Sequence, residues 1–582
     1  MYLTKGLQVT TSTPTTPVRQ DVQTLRDRGE VDVLIIGGGI NGLATLRDLA
    51  LQGVSVALVE RGDFVSGASS ASSHMVHGGI RYLENGEFRL VKEAVTERND
   101  LLKTAPHYVR PLQTTIPVYK TFSGIISAPF RLLITHGRGK PNERGAVLIK
   151  IGLVIYDTFS RSGGTVPRHK FVGRKKSLAE FPEMNPALKY TATYYDASMH
   201  DPERLALDVL HDGIVAGEGR ATAVNYVSAV GSGDGAVRVR DELSGEEFDV
   251  RAKVVVNASG PWTDLTNGAI GTASTYMGGT KGSHVVLENE ELLAATKGRE
   301  IFFEHSDGRI VLIYPLKGRV LVGTTDIDAD PAKPVVTTDA EIDYFFDLIG
   351  HVFPKIEVNR SQIVYTFSGI RPLPRHDDTA PGFVSRDYRI VQDSQGGLPV
   401  LSLVGGKWTT FRALAEHLST KTLELLGRSH RIGTAGLPIG GGAGFPRSVS
   451  ARKRWAQSHA AGHSPEVVER MLSRYGTRAT EVLAALPVDA TPLENAPGYF
   501  REELAYVAAN EQVVHLIDVL LRRTDIAFVG GMTARTLREV AEAVAAPLGW
   551  DADRTDEEIA AATDILRTAH RVEFEEVDTA RA

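Results

Sequence analysis

Val31-Asp32-Val33-Leu34-Ile35-Ile36-Gly37-Gly38-Gly39-Ile40-Asn41-Gly42 is the stretch on which the fold depends. Its first six residues are an almost wholly apolar, β-branched run, which suits a strand buried on both faces of a parallel sheet. Gly37, Gly39 and Gly42 follow as G-x-G-x-x-G, Leu43 to Leu51 reads as a helix, and Val54 to Val59 as a second buried strand. The segment therefore closes a βαβ unit. In that setting the first glycine allows a tight turn and the second lets the backbone approach a pyrophosphate. The third brings the helix against the strand, with its N-terminal N–H groups facing the phosphates. Glu60 ends the second strand about twenty residues on, where an acid accepts hydrogen bonds from a ribose 2′-hydroxyl. A dinucleotide site is expected, lined by Gly37, Gly39, Ile40, Asn41, Gly42 and Glu60.

The glycine motif does not separate NAD from FAD, but its surroundings do. Ser66 to Ser73 is a run of small hydroxyl, glycine and alanine residues suited to close packing against an extended cofactor. Lys253 to Val256 is a later apolar strand ending in Asn257-Ala258-Ser259-Gly260, and Val400 to Val404 is another ending in Gly405-Gly406-Lys407. A cofactor touched by the beginning, middle and end of the chain is long and permanently held, which favours FAD. The nucleotide-binding part is accordingly discontinuous. Between its pieces, Ile310 to Pro315 and Arg319 to Thr324 flank Leu316-Lys317-Gly318 as a hairpin, with Ser283 to Leu287 as a neighbouring strand. These predict a second, antiparallel sheet.

At 582 residues the chain calls for two or three domains. A formal charge of −6 gives no electrostatic case for nucleic acid as a partner. The absence of cysteine excludes disulfides, thiolate metal sites and cysteinyl attachment of a flavin, and no metal site is expected. Residues 1–28 hold a Thr/Pro stretch, Thr10 to Pro17, where an export signal would need an apolar run; they are read as a flexible tail, with an ordered extension as the alternative. No stretch of about 18 uninterrupted apolar residues exists to span a bilayer. From Phe445 the pattern turns helical. Ser464-Pro465-Glu466 supplies an N-cap, an N1 proline and an acidic first turn for a helix ending at Gly476, and Tyr499 to Arg523 and Ala534 to Ala546 are further helices. The expected division is a tail at 1–28, an interleaved two-part region at 29–444, a helical domain at 445–571 and a tail at 572–582. Glu511, Asp518, Arg522 and Arg523 read most simply as a helix-surface charge pattern, with a role at a domain interface as the alternative.

Ser69-Ser70-Ala71-Ser72-Ser73 followed by Val76-His77-Gly78-Gly79-Ile80-Arg81-Tyr82-Leu83-Glu84 resembles the signature of FAD-dependent glycerol-3-phosphate dehydrogenases. The family's order continues through Asn257-Ala258-Ser259-Gly260-Pro261-Trp262, Lys281-Gly282-Ser283-His284 and Gly323-Thr324-Thr325-Asp326. It then runs on in Ser368-Gly369-Ile370-Arg371-Pro372-Leu373, Ser385-Arg386-Asp387 and Gly405-Gly406-Lys407-Trp408-Thr409-Thr410. The resemblance covers Val31 to about Thr420. It implies an α/β fold in which a Rossmann-like FAD-binding domain joins an antiparallel-sheet substrate domain, as in glycine and D-amino-acid oxidases, with a helical C-terminal domain added. It also implies oxidation of sn-glycerol 3-phosphate to dihydroxyacetone phosphate, with hydride transfer to flavin N5 and electrons passing to membrane quinone. Ser69, Ser70, Ser73, Ala258, Gly260, Gly369, Gly406, Lys407 and Thr409 join the cofactor-binding set on the same ground.

The chemistry asks for particular residue types. A phosphate dianion needs cationic donors, and arginine offers a planar fork. Arg81, Arg371 and Arg386 match the family's substrate-pocket arginines, Lys407 adds a point charge beside the flavin, and Tyr82 is a hydroxyl donor or a packing residue. Removal of the C2 hydroxyl proton needs a base, for which histidine is suited. His77 and His284 both qualify, and with Arg371 they form the expected catalytic set. His74 stands where relatives often carry lysine, so a cation there is expected to be weaker and pH-dependent.

Between Tyr119 and Lys150, Phe122, Ile125, Ile126, Phe130, Leu132, Leu133 and Ile134 are interleaved with Lys120, Arg131, Arg138, Lys140, Arg144 and Lys150. Apolar anchors among basic residues suit an interfacial segment on an anionic leaflet; an amphipathic loop packed on its own protein is the alternative. With the quinone acceptor, this leads to a cytoplasmic protein held peripherally at the inner face of the plasma membrane. A glycerol-3-phosphate oxidase, reoxidised by oxygen with release of peroxide, is the rival reading. A homodimer is left open.

Overall fold

The computed structural model describes residues 19–79, 88–121, 146–160, 166–305, 309–375 and 387–574. Arg81, Tyr82, Arg386, most of the 120–150 segment and residues 1–18 and 575–582 lie outside the described residues.

The first sheet is built on the strand Glu30–Ile36, with Val56–Val59 parallel on one side and Glu247–Asn257 parallel on the other. Leu398–Val404 and Ala221–Val224 extend it in parallel, and Arg389–Gln395 closes one edge antiparallel. Glu30–Ile36 is buried on both faces, as its composition predicts. Val33 and Ile35 pack with Leu43, Leu46 and Leu58 on one face, and Val31, Leu34 and Ile36 with Val22 and Leu25 on the other.

Val22 and Leu25 overturn part of the N-terminal expectation. Residues 20–28, placed in a flexible tail, form the helix Gln20–Arg28, which covers the second face of the sheet. Its polar character hid this, because only two residues on one stripe are buried. Each such burial contributes roughly 1.5–3 kcal/mol.

The helix after the glycine turn is Ile40–Leu51, starting directly at Gly39. It packs against Pro202–Gly217 closely enough that a Cβ on Gly213 would lie 2.6 Å from Leu46 Cδ2.

The second sheet contains the expected hairpin as Ile310–Leu316 and Arg319–Gly323, flanked by Met277–Leu287. Ile363–Pro374 lies on the far side of Met277–Leu287. The sheet is antiparallel except where Glu300–Glu304 runs parallel to Val109–Val118, a departure from the expected pattern. Its side chains alternate with period two. Val285, Leu287, Val311 and Ile313 pack under the helix Asp339–Val352, whereas Val286, Leu312, Tyr314 and Phe367 face C-terminal helices.

Ser464 caps the helix Pro465–Tyr475, and Gly476 ends it at φ +60°, both as read from the sequence. Tyr499 to Arg523 is not continuous. It divides into Arg501–Asn510, the short Leu516–Asp518 and a π turn over Val519–Arg523. Asp518 makes the restart by accepting from the His515 backbone N–H at 2.9 Å. At the other end, Val572 is buried among the C-terminal helices and so does not belong to a free tail.

Candidate active site

The glycine turn has the shape a pyrophosphate requires. Gly37 holds φ +115°, and a Cβ on Gly42 would sit 2.0 Å from the Gly37 carbonyl oxygen. Gly39 caps the helix without any side-chain cap, leaving first-turn N–H groups for an anion. Ile40 N–H donates to Ser69 Oγ at 3.1 Å. Gly406, at φ +113°, closes the cradle from the late strand end: a Cβ there would lie 2.8 Å from Asn41 Nδ2. Asn41 Oδ1 is buried without a hydrogen-bond partner in the protein, as an atom reserved for a ligand would be. Glu60 braces the turn, accepting from Gly38 N–H at 2.7 Å and Gly62 N–H at 2.8 Å. These are the features an FAD pyrophosphate and adenosine ribose need, and the residues present fit the cofactor.

The small-residue run then threads between the two sheets. A Cβ on Gly369 would come within 2.3 Å of Ala71 Cβ, so the run and the strand Ile363–Pro374 meet backbone to backbone. Ser70 Oγ donates within the run to the Gly67 carbonyl at 3.0 Å, and Trp408 Nε1 donates to the Ser69 carbonyl at 2.8 Å. Ala258 lies against Gly37, Gly260 opens a 3₁₀ turn at φ +62°, and Thr409 Oγ1 donates to the His77 carbonyl at 3.3 Å. Lys407 lies at that same turn.

His77 and His284 occupy opposite environments. His77 keeps 24% of its side chain exposed, and its Nδ1 lies 2.7 Å from Asp196 Oδ2. Asp196 is fully buried and accepts from Gly78 N–H at 2.9 Å, Arg98 Nη1 at 3.0 Å and the Tyr156 hydroxyl. Burial alone would raise its carboxyl, but His77, Arg98 and Tyr156 override that and hold it at about 2. A permanently ionised Asp196 fixes Nδ1–H and directs Nε2 to act as acceptor. His284 is buried, stacks on Phe367 with centroids 4.6 Å apart, and meets Ser73 Oγ through Nε2 at 2.8 Å. Burial, reinforced by the Arg371 charge, drives it well below the usual histidine range, so it stays neutral.

Arg371 stands opposite Thr280 in the sheet register. Its fork reaches Asp326 Oδ1 at 2.7 Å, Thr324 Oγ1 at 3.0 Å and the Thr325 carbonyl at 2.9 Å. Behind it, Glu341 ties two motifs together, accepting from Lys281 Nζ at 2.7 Å, Ser283 Oγ at 2.8 Å and Thr325 Oγ1 at 2.8 Å. His74 does not supply the expected pH-dependent cation. It is buried between Phe367 and Phe528, and burial, with Lys317 nearby, lowers it to about 4.

Sequence reading missed Asp196 and Glu341, which lie 119 and 60 residues from the His77 and Lys281 they serve. Thr338 and Glu341 form a capping box that marks only a helix start, and no local spacing announces Asp196. For Asp196 the signal is strand pairing, since it sits on the strand that pairs with Met75–Val76.

This combination of a dinucleotide turn, a covering sheet and a histidine–carboxylate pair defines a flavin-dependent oxidoreductase. Residues 32–412 match the model of the FAD dependent oxidoreductase family, and residues 432–555 match that of the C-terminal domain of alpha-glycerophosphate oxidase. The chain is 33% identical over 556 residues to a glycerol-3-phosphate dehydrogenase of Synechocystis sp., covering 91% of this chain and 95% of the relative. It is 32% identical to a D-erythritol 1-phosphate dehydrogenase of Brucella abortus, over 85% of this chain and 94% of that one. The fold is also that of an FAD-complexed glycerol-3-phosphate dehydrogenase from Bacillus halodurans, at a TM-score of 0.70, 22% identity, and coverage of 94% and 97%. The chain belongs to the FAD-dependent glycerol-3-phosphate dehydrogenase family, and FAD is its cofactor.

Proposed function

We propose that the enzyme oxidises sn-glycerol 3-phosphate to dihydroxyacetone phosphate and passes the electrons to a membrane quinone. The observation that carries the chemistry is the His77–Asp196 pair: His77 follows the short strand Met75–Val76, which continues from the Ser66 to Ser73 run, and Asp196 lies on the strand Tyr190–Met199 paired with it. When bound, FAD supplies the acceptor for the hydride that leaves C2. His77 Nε2 takes the C2 hydroxyl proton, and the Asp196 carboxylate stabilises the imidazolium that results. Neutral His284, held by Ser73, orients the hydroxyl side of the substrate without competing for the proton. Arg371 turns its fork from Asp326 to the phosphate, with Lys407, Arg81 and Arg386 adding positive charge and Tyr82 a hydroxyl donor. Gly37 to Gly42, Glu60, Ser69, Ser70, Ser73, Ala258, Gly260, Gly369, Gly406 and Thr409 hold the cofactor. Arg371→Ala is expected to lower kcat/KM by roughly 10²–10⁴-fold, as loss of a charged contact of about 3–5 kcal/mol implies, while the protein stays yellow. Loss of FAD in that variant would assign Arg371 to the cofactor instead.

Membrane attachment is supported by a surface that begins at the end of the segment first singled out, at Val147 and Lys150, and runs beyond it. On the helix Ala146–Ser160, Val147, Ile151 and Val154 are exposed at i, i+4 and i+7. Lys150 lies 5.8 Å above the Phe171 ring, and Arg168 and Lys170, flanking the His169 that meets Asp157 of the same helix, are exposed. An exposed apolar stripe with cations nearby fits the interface of an anionic leaflet. Among the described residues no helix is long and apolar enough to cross a membrane.

The match of residues 432–555 to an oxidase C-terminal domain favours one second reading, reoxidation by oxygen. Purified enzyme turning over glycerol 3-phosphate in air is expected to reduce a quinone analogue with little peroxide. Stoichiometric peroxide would establish the oxidase.

A further inference from the structure

Asp63 lies on the loop that follows Glu60, and its side chain is fully buried. Four donors converge on its carboxylate: Arg522 Nε, Arg523 Nη1, Arg523 Nη2 at 2.9 Å and Asn225 Nδ2 at 3.0 Å. The two arginines are consecutive, and on a regular α-helix neighbouring side chains point about 100° apart. The π turn over Val519–Arg523 brings both onto one carboxylate. Asp518 balances the second positive charge, accepting from Arg522 Nη2 and from the Tyr226 hydroxyl, each at 2.7 Å. The cluster is thus neutral as a whole, two carboxylates against two guanidiniums, and each member is hydrogen-bonded, with Arg523 Nε left without a partner. These are the conditions under which buried ions are tolerated. Burial would raise the Asp63 carboxyl, but Arg523 and Arg522 hold it below the ordinary range, so the pair is ionised throughout the neutral region.

The same loop is tied to the glycine turn from the other side. Gly38 N–H donates to Glu60 Oε2 at 2.7 Å, and Val65 N–H donates back to the Gly38 carbonyl at 3.0 Å. Phe64 lies beneath Gly38, where a Cβ would come within 2.8 Å of Phe64 Cδ1. Tyr226 N–H donates to the Gly62 carbonyl at 2.9 Å, and Gln512 of the helical domain donates to the Ala223 carbonyl at 2.8 Å. Residues 60–65 are therefore clamped between the phosphate-binding turn and the C-terminal helices.

We propose that Asp63 is a positioning residue through which Arg522 and Arg523 of the helical domain hold the dinucleotide turn in its FAD-binding shape, making that domain a cofactor-retention element. Its effect is on the Gly38–Glu60 geometry rather than on substrate chemistry.

Coupling of this kind is reciprocal: if the clamp favours FAD, FAD must favour the clamp. The first test is titration of Asp63→Asn apoprotein with FAD, followed by flavin fluorescence quenching. At least a tenfold weaker Kd is expected, with kcat at saturating FAD within twofold of the parent. A Kd within twofold of the parent, with or without a lower apoprotein Tm, would reduce Asp63 to a structural ion pair and overturn the proposal. If Asp63→Asn does not fold, the unmodified chain decides by amide hydrogen exchange with and without FAD. Exchange across Val519 to Thr524 is expected to slow at least tenfold on adding FAD while Pro465–Tyr475 is unchanged. Equal rates at Val519 to Thr524 in both states would overturn the proposal.

Discussion

At the scale of single residues, the site works by keeping charges where they are useful and removing them where they are not. Asp196 is buried yet ionised, because Arg98, Tyr156 and His77 satisfy both of its oxygens. Asp196→Asn replaces that carboxylate with an amide that favours the wrong His77 tautomer. It is expected to lower kcat roughly 10²–10⁴-fold with FAD retained, measured by anaerobic flavin reduction. Glu300, two strands away, shows the opposite behaviour. Burial, with Asp196 adding to it, pushes its carboxyl up to about 8, and Thr114 Oγ1 donates to it at 2.7 Å. A carboxyl raised on folding stabilises the fold below its unfolded value near 4.5, and that stabilisation is lost as pH rises toward 8. Glu300→Gln, always neutral, is therefore expected to gain at least about 1 kcal/mol on the parent between pH 5 and pH 8, read as relative Tm. His77, His284 and Arg371 were legible as candidates because they sit in short motifs. Asp196 and Glu300 were not, since each acts through strand pairing across more than a hundred residues.

At the scale of elements, the glycine turn leaves no room for side chains. Gly42→Ala would force a Cβ to 2.0 Å from the Gly37 carbonyl oxygen, so it is expected to abolish FAD retention. The check is the flavin-to-protein absorbance ratio after purification, and a fully yellow variant would refute the cradle. Elements with strong periodicity were readable: the βαβ unit, the hairpin at Lys317 and the helix from Pro465 to Tyr475. The helix Gln20–Arg28 was not, because it buries only Val22 and Leu25 and its polar remainder resembles a tail. The break within Tyr499 to Arg523 was also hidden, since hydrophobic residues continue across it while Asp518 restarts the chain. Glu511, Asp518, Arg522 and Arg523 followed a surface-like spacing but lie at the join between helical and nucleotide-binding parts. Arg204 meets Glu511 there at 2.8 Å and 2.9 Å.

At the scale of the whole molecule, one sheet carries the glycine turn, a second carries His284 and Arg371, and the helical region clasps both through Asp63 and through Lys317, which bridges Asp201 and Asp525. The proposed membrane attachment assigns the exposed stripe on Ala146–Ser160 to the bilayer. Ile151→Asp is expected to reduce co-sedimentation with phosphatidylglycerol vesicles several-fold without changing turnover of soluble acceptors, since a charge replaces an inserting anchor. Undiminished sedimentation would place the attachment elsewhere. The central claim concerns what reduces the flavin, and anaerobic addition of glycerol 3-phosphate to the purified yellow enzyme tests it most directly. The account predicts rapid bleaching of the flavin absorbance and its return on adding a quinone analogue. A flavin that stays oxidised with glycerol 3-phosphate, or bleaches only with a longer polyol phosphate such as D-erythritol 1-phosphate, would contradict it.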